Sequence, residues 1–264
     1  MPAGTLDGVA VLVTRPEHQA KVLIEAIRAA NGEPIAFPAF EVLGHPPDRM
    51  ATSIGGLAPA DIIIFVSANA ARLGQGALDR ATSPRQIAAI GAATASALEA
   101  DGIEVDIRPA SGFDSESLLA DTSLQSVAGK TVTIVRGDPG RELLAKTLTE
   151  RGATVQYLSA YSVIPRNVEQ SEREAIEASL GSGAVQATVI MSVKTMDCLE
   201  AILSAEAIAA MGRGTLVAPG GRVIQTLQER LPGARWIQSA GVDAASIVEA
   251  LIAGGQDEQT PNEQ

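Results

Sequence analysis

The sequence predicts an α/β protein whose sheets are parallel and carry helices on both faces, and three observations lead there. Candidate strands and helices alternate along nearly the whole chain, the pattern of parallel sheets reached through helical crossovers. The composition is 46% apolar yet only 3% aromatic, so the cores consist of Ala, Val, Ile and Leu, which suits sheets covered by closely packed helices. A loose internal repeat recurs after roughly 120–130 residues, the sign of a duplicated supersecondary unit. At 264 residues, a prior of roughly 150 per domain gives one large or two modest domains.

Val9–Thr14 reads as a buried strand. Arg15-Pro16 opens a helix with Val22, Leu23, Ala26 and Ile27 on one face, and Asn31-Gly32 ends it. Pro34–Phe37 is a second strand, continued by Phe40–Leu43 as an extended crossing that His45-Pro46-Pro47 breaks. Ile62–Val66 is the most hydrophobic strand, followed by Ser67-Ala68-Asn69 and a helix through Leu73. After the strand Ile87–Ile90, Gly91-Ala92-Ala93-Thr94 leads into a helix ending at Asp101-Gly102, and Glu104–Ile107 is a further strand. Asp114 caps a helix over Ser115–Ala120.

Lys130–Arg166 holds the clearest β-α-β unit. Thr131–Val135 is β-branched and apolar, as a buried parallel strand should be, and Arg136-Gly137 ends it. Asp138 is a good N-cap with Pro139 in the first helical turn. Leu143, Leu144, Thr147 and Leu148 form the apolar stripe, and Gly152 is the left-handed stop. Thr154–Leu158 is the next strand, and Ser159–Val163 runs on, extended, to Pro165. A helix begins in the polar segment Asn167–Glu177. Strands Thr188–Met191, Thr215–Ala218 and Ala234–Gln238 follow, with helices after Ser192-Val193-Lys194, after Pro219-Gly220-Gly221-Arg222, and over Ala244–Ala253 behind Asp243. Residues 254–264 are polar and expected to be disordered.

The repeat orders the chain as A-B-A-B. Residues 9–43 and 130–166 are the A units, and 62–120 and 188–253 the B units. Ser67 matches Ser192, Gly91 matches Gly220, and Asp114 matches Asp243. Two topologies follow: each A pairs with the B after it, or the first A pairs with the last B around an enclosed domain. The second needs two crossings, and 38–43 and 159–165 are extended stretches available for them.

The formal net charge is −11, which argues against a nucleic-acid binder and against docking on anionic membranes. It leaves room for an anionic small molecule, because a local arginine cluster outweighs distant charge. One cysteine, Cys198, excludes an internal disulfide and suits a reducing cytosol, and His18 and His45 offer no metal-ligand spacing. No signal core or membrane-length run is present. The chain reads as cytoplasmic.

In open parallel sheets, ligands gather beyond the carboxyl ends of the strands. Those positions here are Arg15, Ser67, Asn69, Thr94, Arg136, Gly137, Ser192, Lys194, Gly220 and Arg222. They are donors and glycines without a carboxylate among them, in a chain with 31 acids against 20 bases. Helix N-termini follow each. The set suggests a cleft built for a polyanion. No GxGxxG, phosphate loop, serine-hydrolase triad or convergent carboxylate pair is present, which leaves binding, orientation and a weak acid. Tyr161, one of two tyrosines, is the candidate acid; Arg141 is a further cation. A non-catalytic cytosolic binding protein or sensor for an anionic small molecule fits the same pattern.

Three segments, 11–16 (VLVTRP), 65–70 (FVSANA) and 89–98 (AIGAATASAL), resemble the uroporphyrinogen-III synthase family. So do Val135-Arg136-Gly137 with Gly140-Arg141, Gly152-Ala153, and Tyr161. The likeness spans Val9 to Ile252. It implies two parallel-sheet α/β lobes with flavodoxin-like layers, joined by a two-stranded interdomain ribbon. Residues 1–37 with 167–253 form one lobe, 44–158 the other, and 38–43 and 159–166 the crossings. The substrate it implies is hydroxymethylbilane, a linear tetrapyrrole with eight carboxylates; the product is uroporphyrinogen III, with ring D inverted and water lost. No cofactor or metal is implied, and the expected state is a monomer without nucleic-acid or membrane partners. By resemblance, a hydroxyl leaves ring A to give an azafulvene, and ring D attacks to form a spiro intermediate that breaks and rejoins the other way. Tyr161 matches the tyrosine proposed to assist hydroxyl departure; Thr94, Ser67 and Ser192 are expected to line the cleft. Many members carry a hydroxyl residue where this chain has Pro219-Gly220-Gly221, so any hydrogen bond there comes from backbone. Arg222 matches a basic residue of some members.

Overall fold

A computed structural model describes residues 5–110, 112, 114–138 and 142–256. In chain order the elements are β1 (Ala10–Val13), α1 (Glu17–Ala29), β2 (Glu33–Ala36), β3 (Phe40–Gly44), α2 (Pro47–Gly55), β4 (Ala60–Phe65), α3 (Ala68–Leu73), β5 (Ala81–Ala89), α4 (Ala92–Glu99) and α5 (Ser115–Leu119). There follow β6 (Thr131–Asp138), α6 (Leu143–Glu150), β7 (Thr154–Pro165), α7 (Gln170–Gly181), β8 (Ala187–Val189), α8 (Val193–Ile202), α9 (Ala205–Met211), β9 (Thr215–Pro219), α10 (Gly221–Gln228), β10 (Arg235–Ser239) and α11 (Ala244–Gln256).

The chain divides into two compact units, Met1–Glu41 with Ile164–Gln264, and Val42–Val163. The first holds a sheet of order β10-β9-β8-β1-β2, parallel throughout. The second holds β3-β7-β6-β4-β5, in which β4 to β7 are parallel. Numbered within itself, the first sheet has the order 2-1-3-4-5 of flavodoxin-like proteins. The second repeats it: β6 and β7 stand where β1 and β2 do, β4 and β5 where β8 and β9 do. Ile107 bridges Ala88 of β5 in the place of β10. The first A unit thus shares a sheet with the last B unit.

Both faces of each sheet are buried, which is why the strands read as continuous apolar runs. Val11 and Val13 enter a core with Leu23, Ile27 and Ile247, while Leu12 enters the opposite one with Met196 and Leu199. Ile63 and Phe65 face one core of the second unit, Ile62 and Ile64 the other. The repeat extends to the caps. Ser67 and Ser192 cap α3 and α8, Asp114 and Asp243 accept from Ser117 N and Ser246 N, and α4 and α10 start at Gly91 and Gly220 without a side-chain cap.

Several elements differ from the sequence expectation. Pro46 and Pro47 do not merely break the chain; they start α2, occupying its N-cap and first position, where proline is tolerated. Its apolar stripe is thin, since none of its residues is fully buried. Asp138 is not a helix cap: β6 runs through it, and α6 begins at Leu143. The expected strand Glu104–Ile107 reduces to one bridge, because the Asp106 side chain accepts from Ile87 N at 2.7 Å and competes with the ladder. β7 is one strand of 12 residues. α11 continues to Gln256, so residues 254–256 are helical, and the rest of the expected tail lies outside the described residues. Among the described residues no helix is long and apolar enough to cross a membrane.

Candidate active site

Each sheet has a switch point, the pair of neighbouring strands at which the strand order reverses, and in open parallel sheets ligands gather beyond the carboxyl ends there. In the second unit the pair is β6 and β4, which deliver Arg136-Gly137 and Ser67. In the first it is β1 and β8, which deliver Arg15 and Ser192.

Tyr161 dominates the edge of the second unit. Its ring is only 8% exposed, packed in the core that contains Phe65, Val135 and Leu158. Its hydroxyl lies 2.8 Å from Ser67 Oγ, which also accepts from Ala70 N at 2.9 Å. Gly137 is directly beneath the ring. A Cβ there would approach Tyr161 Cε2 to 2.4 Å and Cζ to 2.7 Å, so only glycine leaves room. Burial raises the phenol above its ordinary pKa, with the Ser67 hydrogen bond opposing, and the group holds its proton at neutral pH. Asn69 and Thr94 stand on the first turns of α3 and α4; Thr94 is buried, and neither side chain has a hydrogen-bond partner among the described residues.

Arg136 is not a bare cation. Its guanidinium carbon sits 3.8 Å over the Tyr157 ring, and Nη1 pairs with Glu142 Oε1 at 2.9 Å. The Tyr157 hydroxyl donates to Glu142 Oε2 at 2.6 Å. That hydrogen bond first, and then the one from Arg136, lower the Glu142 pKa. The edge therefore does hold carboxylates, Asp138 and Glu142, contrary to the sequence reading. They escaped it because β6 is longer than its apolar run. Arg141 lies outside the described residues.

In the first unit, Arg15 donates to Val242 O at 2.6 Å and to Gln19 Oε1 at 3.1 Å. It ties the start of α1 to the loop after β10. Ser192 caps α8 and shares a 2.9 Å hydrogen bond with Thr195 Oγ1. Lys194, on the first turn of α8, makes no ion pair among the described residues. Gly220 has φ +71°, a positive-φ conformation that favours glycine at this position. Arg222 stands on the first turn of α10; its side chain lies outside the described residues.

A cavity of about 330 Å³ lies at the opposite, amino edge of the first sheet, lined by Val9, Gln186, Thr215 and Arg235. Its arginines serve helix ends: Arg213 donates to Gly181 O and Arg235 to Gly254 O. The carboxyl edges are the better site. Among the described residues no group of His, Cys, Asp and Glu could hold a metal.

The family described as uroporphyrinogen-III synthase HemD matches residues 21–243. The chain belongs to the uroporphyrinogen-III synthase family. The matched span contains every candidate site residue except Arg15. Among relatives, the uroporphyrinogen-III synthase of Salmonella typhimurium is 34% identical over 171 residues, 62% of this chain and 69% of its own length. That of Chlorobaculum parvum is 28% identical over 222 residues, 78% of this chain and 86% of its own length. The fold is that of two solved family structures. A mutant synthase from Thermus thermophilus gives a TM-score of 0.65 at 19% identity, covering 95% of this chain and 100% of that one. The Helicobacter pylori enzyme gives 0.62 at 14% identity, with the same coverages.

Sequence reasoning missed His45, Asp138, Glu142, Tyr157, Ser159 and Ser162, which the structure gathers around Arg136 and Tyr161. Tyr157 and Ser159 sit on the same strand as Tyr161, but the irregular register between β6 and β7 at Ala160 defeats simple alternation as a signal. Nothing local in the sequence joins His45 to β7.

Proposed function

We propose that this chain cyclises hydroxymethylbilane to uroporphyrinogen III, inverting ring D and releasing water. The observation that carries the reading is the Tyr161–Ser67 pair over Gly137 at the switch point of the second sheet, in a chain of this family. The ring A hydroxyl leaves as water only when protonated. Tyr161 is a protonated phenol with a hydroxyl neighbour. With Ser67 donating to the phenol oxygen, the phenol hydrogen is free to meet the leaving hydroxyl, and the Ser67 hydrogen bond stabilises the phenolate that develops. Loss of water and carbon–carbon bond formation leave the oxidation level unchanged, so proton transfer and orientation suffice, and the reading assigns no cofactor.

Orientation is the larger demand, because the bilane also closes unaided to the uninverted isomer. Asn69, Thr94 and the Gly137 backbone in one unit, and Ser192, Lys194, Gly220 and Arg222 in the other, are the proposed contacts for substrate carboxylates and pyrrole groups. Arg141, a further cation in the sequence that the resemblance also matches, is proposed with them. Arg15 fits better as a tie within its own unit. Arg136 meets a substrate carboxylate by exchange with Glu142, whose side chain is mostly exposed and swings aside at little cost. Arg136→Ala is therefore expected to raise KM about tenfold, the scale of a lost charge-assisted contact, with kcat less affected. An unchanged KM would place Arg136 outside the binding surface. The reading as a whole is tested by giving freshly made hydroxymethylbilane to the purified protein and separating the oxidised porphyrins. Isomer III as the main product supports it; isomer I alone, at the spontaneous rate, leaves at most a binding protein.

A further inference from the structure

His45 follows β3 and reaches β7 three times. Its backbone N–H donates to Ala160 O at 3.0 Å, its Nδ1 is 2.9 Å from Ser159 O, and its Nε2 is 3.1 Å from Ser162 Oγ. A carbonyl oxygen only accepts, so Nδ1 carries a hydrogen and donates to Ser159 O, while Nε2 shares a hydrogen bond with the Ser162 hydroxyl. These contacts bracket Tyr161 on both sides.

The bracketed segment is irregular. β6 and β7 pair Arg136 with Ser159 and then Gly137 with Tyr161, leaving Ala160 as the extra residue of a β-bulge. In a regular strand Ala160 and Tyr161 would point to opposite faces. Here Leu158, Ala160 and Tyr161 all pack in one core. The bulge thus turns the phenol onto Gly137 and Ser67, as bulges beside active sites re-aim side chains. An extra residue in a ladder lacks a cross-strand partner, so something else must hold its backbone. His45 supplies that hold from β3, on the side away from β6. Ser159 is fastened further by its hydroxyl, which donates to Asp138 Oδ1 at 2.5 Å, and Asp138 Oδ2 lies 3.7 Å from Arg49.

We propose that His45 is a positioning residue that clamps the β7 bulge and so keeps the Tyr161 hydroxyl against Ser67. As a contribution to catalysis, this rests on the reading of Tyr161 as proton donor. The chain has only two tyrosines, so a Tyr157→Phe background labelled with 13Cζ-tyrosine shows Tyr161 as a single resonance. In the full-length protein, His45→Ala is expected to shift that resonance and to lower kcat about tenfold with KM nearly unchanged, the scale of a slightly misplaced group. The fraction of isomer I should rise as unaided closure competes. His45→Asn puts an amide nitrogen near the Nδ1 position and should recover much of the loss. Ser162→Ala, which keeps the imidazole and removes one partner, gives a smaller shift in the same direction and serves if His45→Ala does not fold. A wild-type resonance and wild-type kcat in His45→Ala and Ser162→Ala, with Tyr161→Phe slow, overturn the clamp and leave the acid role standing. A shifted resonance with normal kcat, alongside normal kcat in Tyr161→Phe, supports the clamp and removes the acid role.

Discussion

Tyr161→Phe is expected to lower the turnover of hydroxymethylbilane tenfold or more while changing KM little. The substitution removes one oxygen. The ring keeps its place over Gly137 in a core that buries nearly all of it, and Ser67 keeps the Ala70 N–H that holds it as the cap of α3. On the proposed reading, what is lost is the proton that departs with the ring A hydroxyl, and general-acid help is typically worth about 10²–10⁴-fold. The bilane loses its hydroxyl slowly without help, so the variant retains some activity, and a rising share of isomer I accompanies the slower rate. Initial rates of isomer III formation measure the effect; wild-type turnover would return Tyr161 to a packing role. The same variant has a signature in stability. Burial raises the native phenol pKa above the ordinary 10.0, so native Tyr161 holds its proton where the unfolded chain has lost it. That contribution is complete below about pH 10 and declines as pH climbs toward the native pKa. Tyr161→Phe should flatten the alkaline decline; Tyr157, also shifted upward but far more exposed, remains in the variant.

Gly137→Ala is expected to be at least as damaging, and by a different route. The new methyl would sit 2.4 Å from Tyr161 Cε2 and 2.9 Å from Cδ2, well inside van der Waals contact. Neither side can yield cheaply. Gly137 is held in the ladder between β6 and β7, and the ring is enclosed. Overpacking of this kind costs about 1–3 kcal/mol, or about 2–4 °C in Tm for each kcal/mol in a chain of this size. The ring that moves to relieve the clash leaves Ser67, so kcat falls along with stability. The decisive comparison pairs Gly137→Ala with Tyr161→Ala. Removing the ring abolishes the clash, so the double variant should be clearly more stable than the sum of the single effects predicts. Strict additivity in thermal or denaturant unfolding would show that the two residues do not meet.

Much of this was legible from the residues. Ile62–Phe65 and Val11–Val13 announce strands buried on both faces, and Gly152, at φ +87°, is the left-handed helix stop its position implied. Asp114 and Asp243 were read as caps, and Ser67 with Ser192 and Asp114 with Asp243 as matched pairs, from identity and spacing alone; that the two serines are also caps came from the structure. The errors have a common cause. Asp138 was assigned to a helix because Asp followed by Pro is a strong local N-cap signal, yet eight residues of β6 carry it into the sheet. Asp106 turned an expected strand into a single bridge by competing for Ile87 N. Arg15 and Arg136 were read as available cations, and both are engaged by groups that become neighbours only on folding.

The sequence by itself determined that this is a parallel α/β protein, where the apolar runs of most of its strands lie, and which residue types follow those runs. Apolar period, caps and stops are local properties, set within a few residues. Only the tertiary structure decided which A unit shares a sheet with which B unit, that Tyr161 rests on Gly137 beside Ser67, and that His45 holds the bulge that puts it there. Those facts depend on ladder register, and register is set by pairing between segments far apart in the chain, where a shift of one residue turns a side chain to the opposite face.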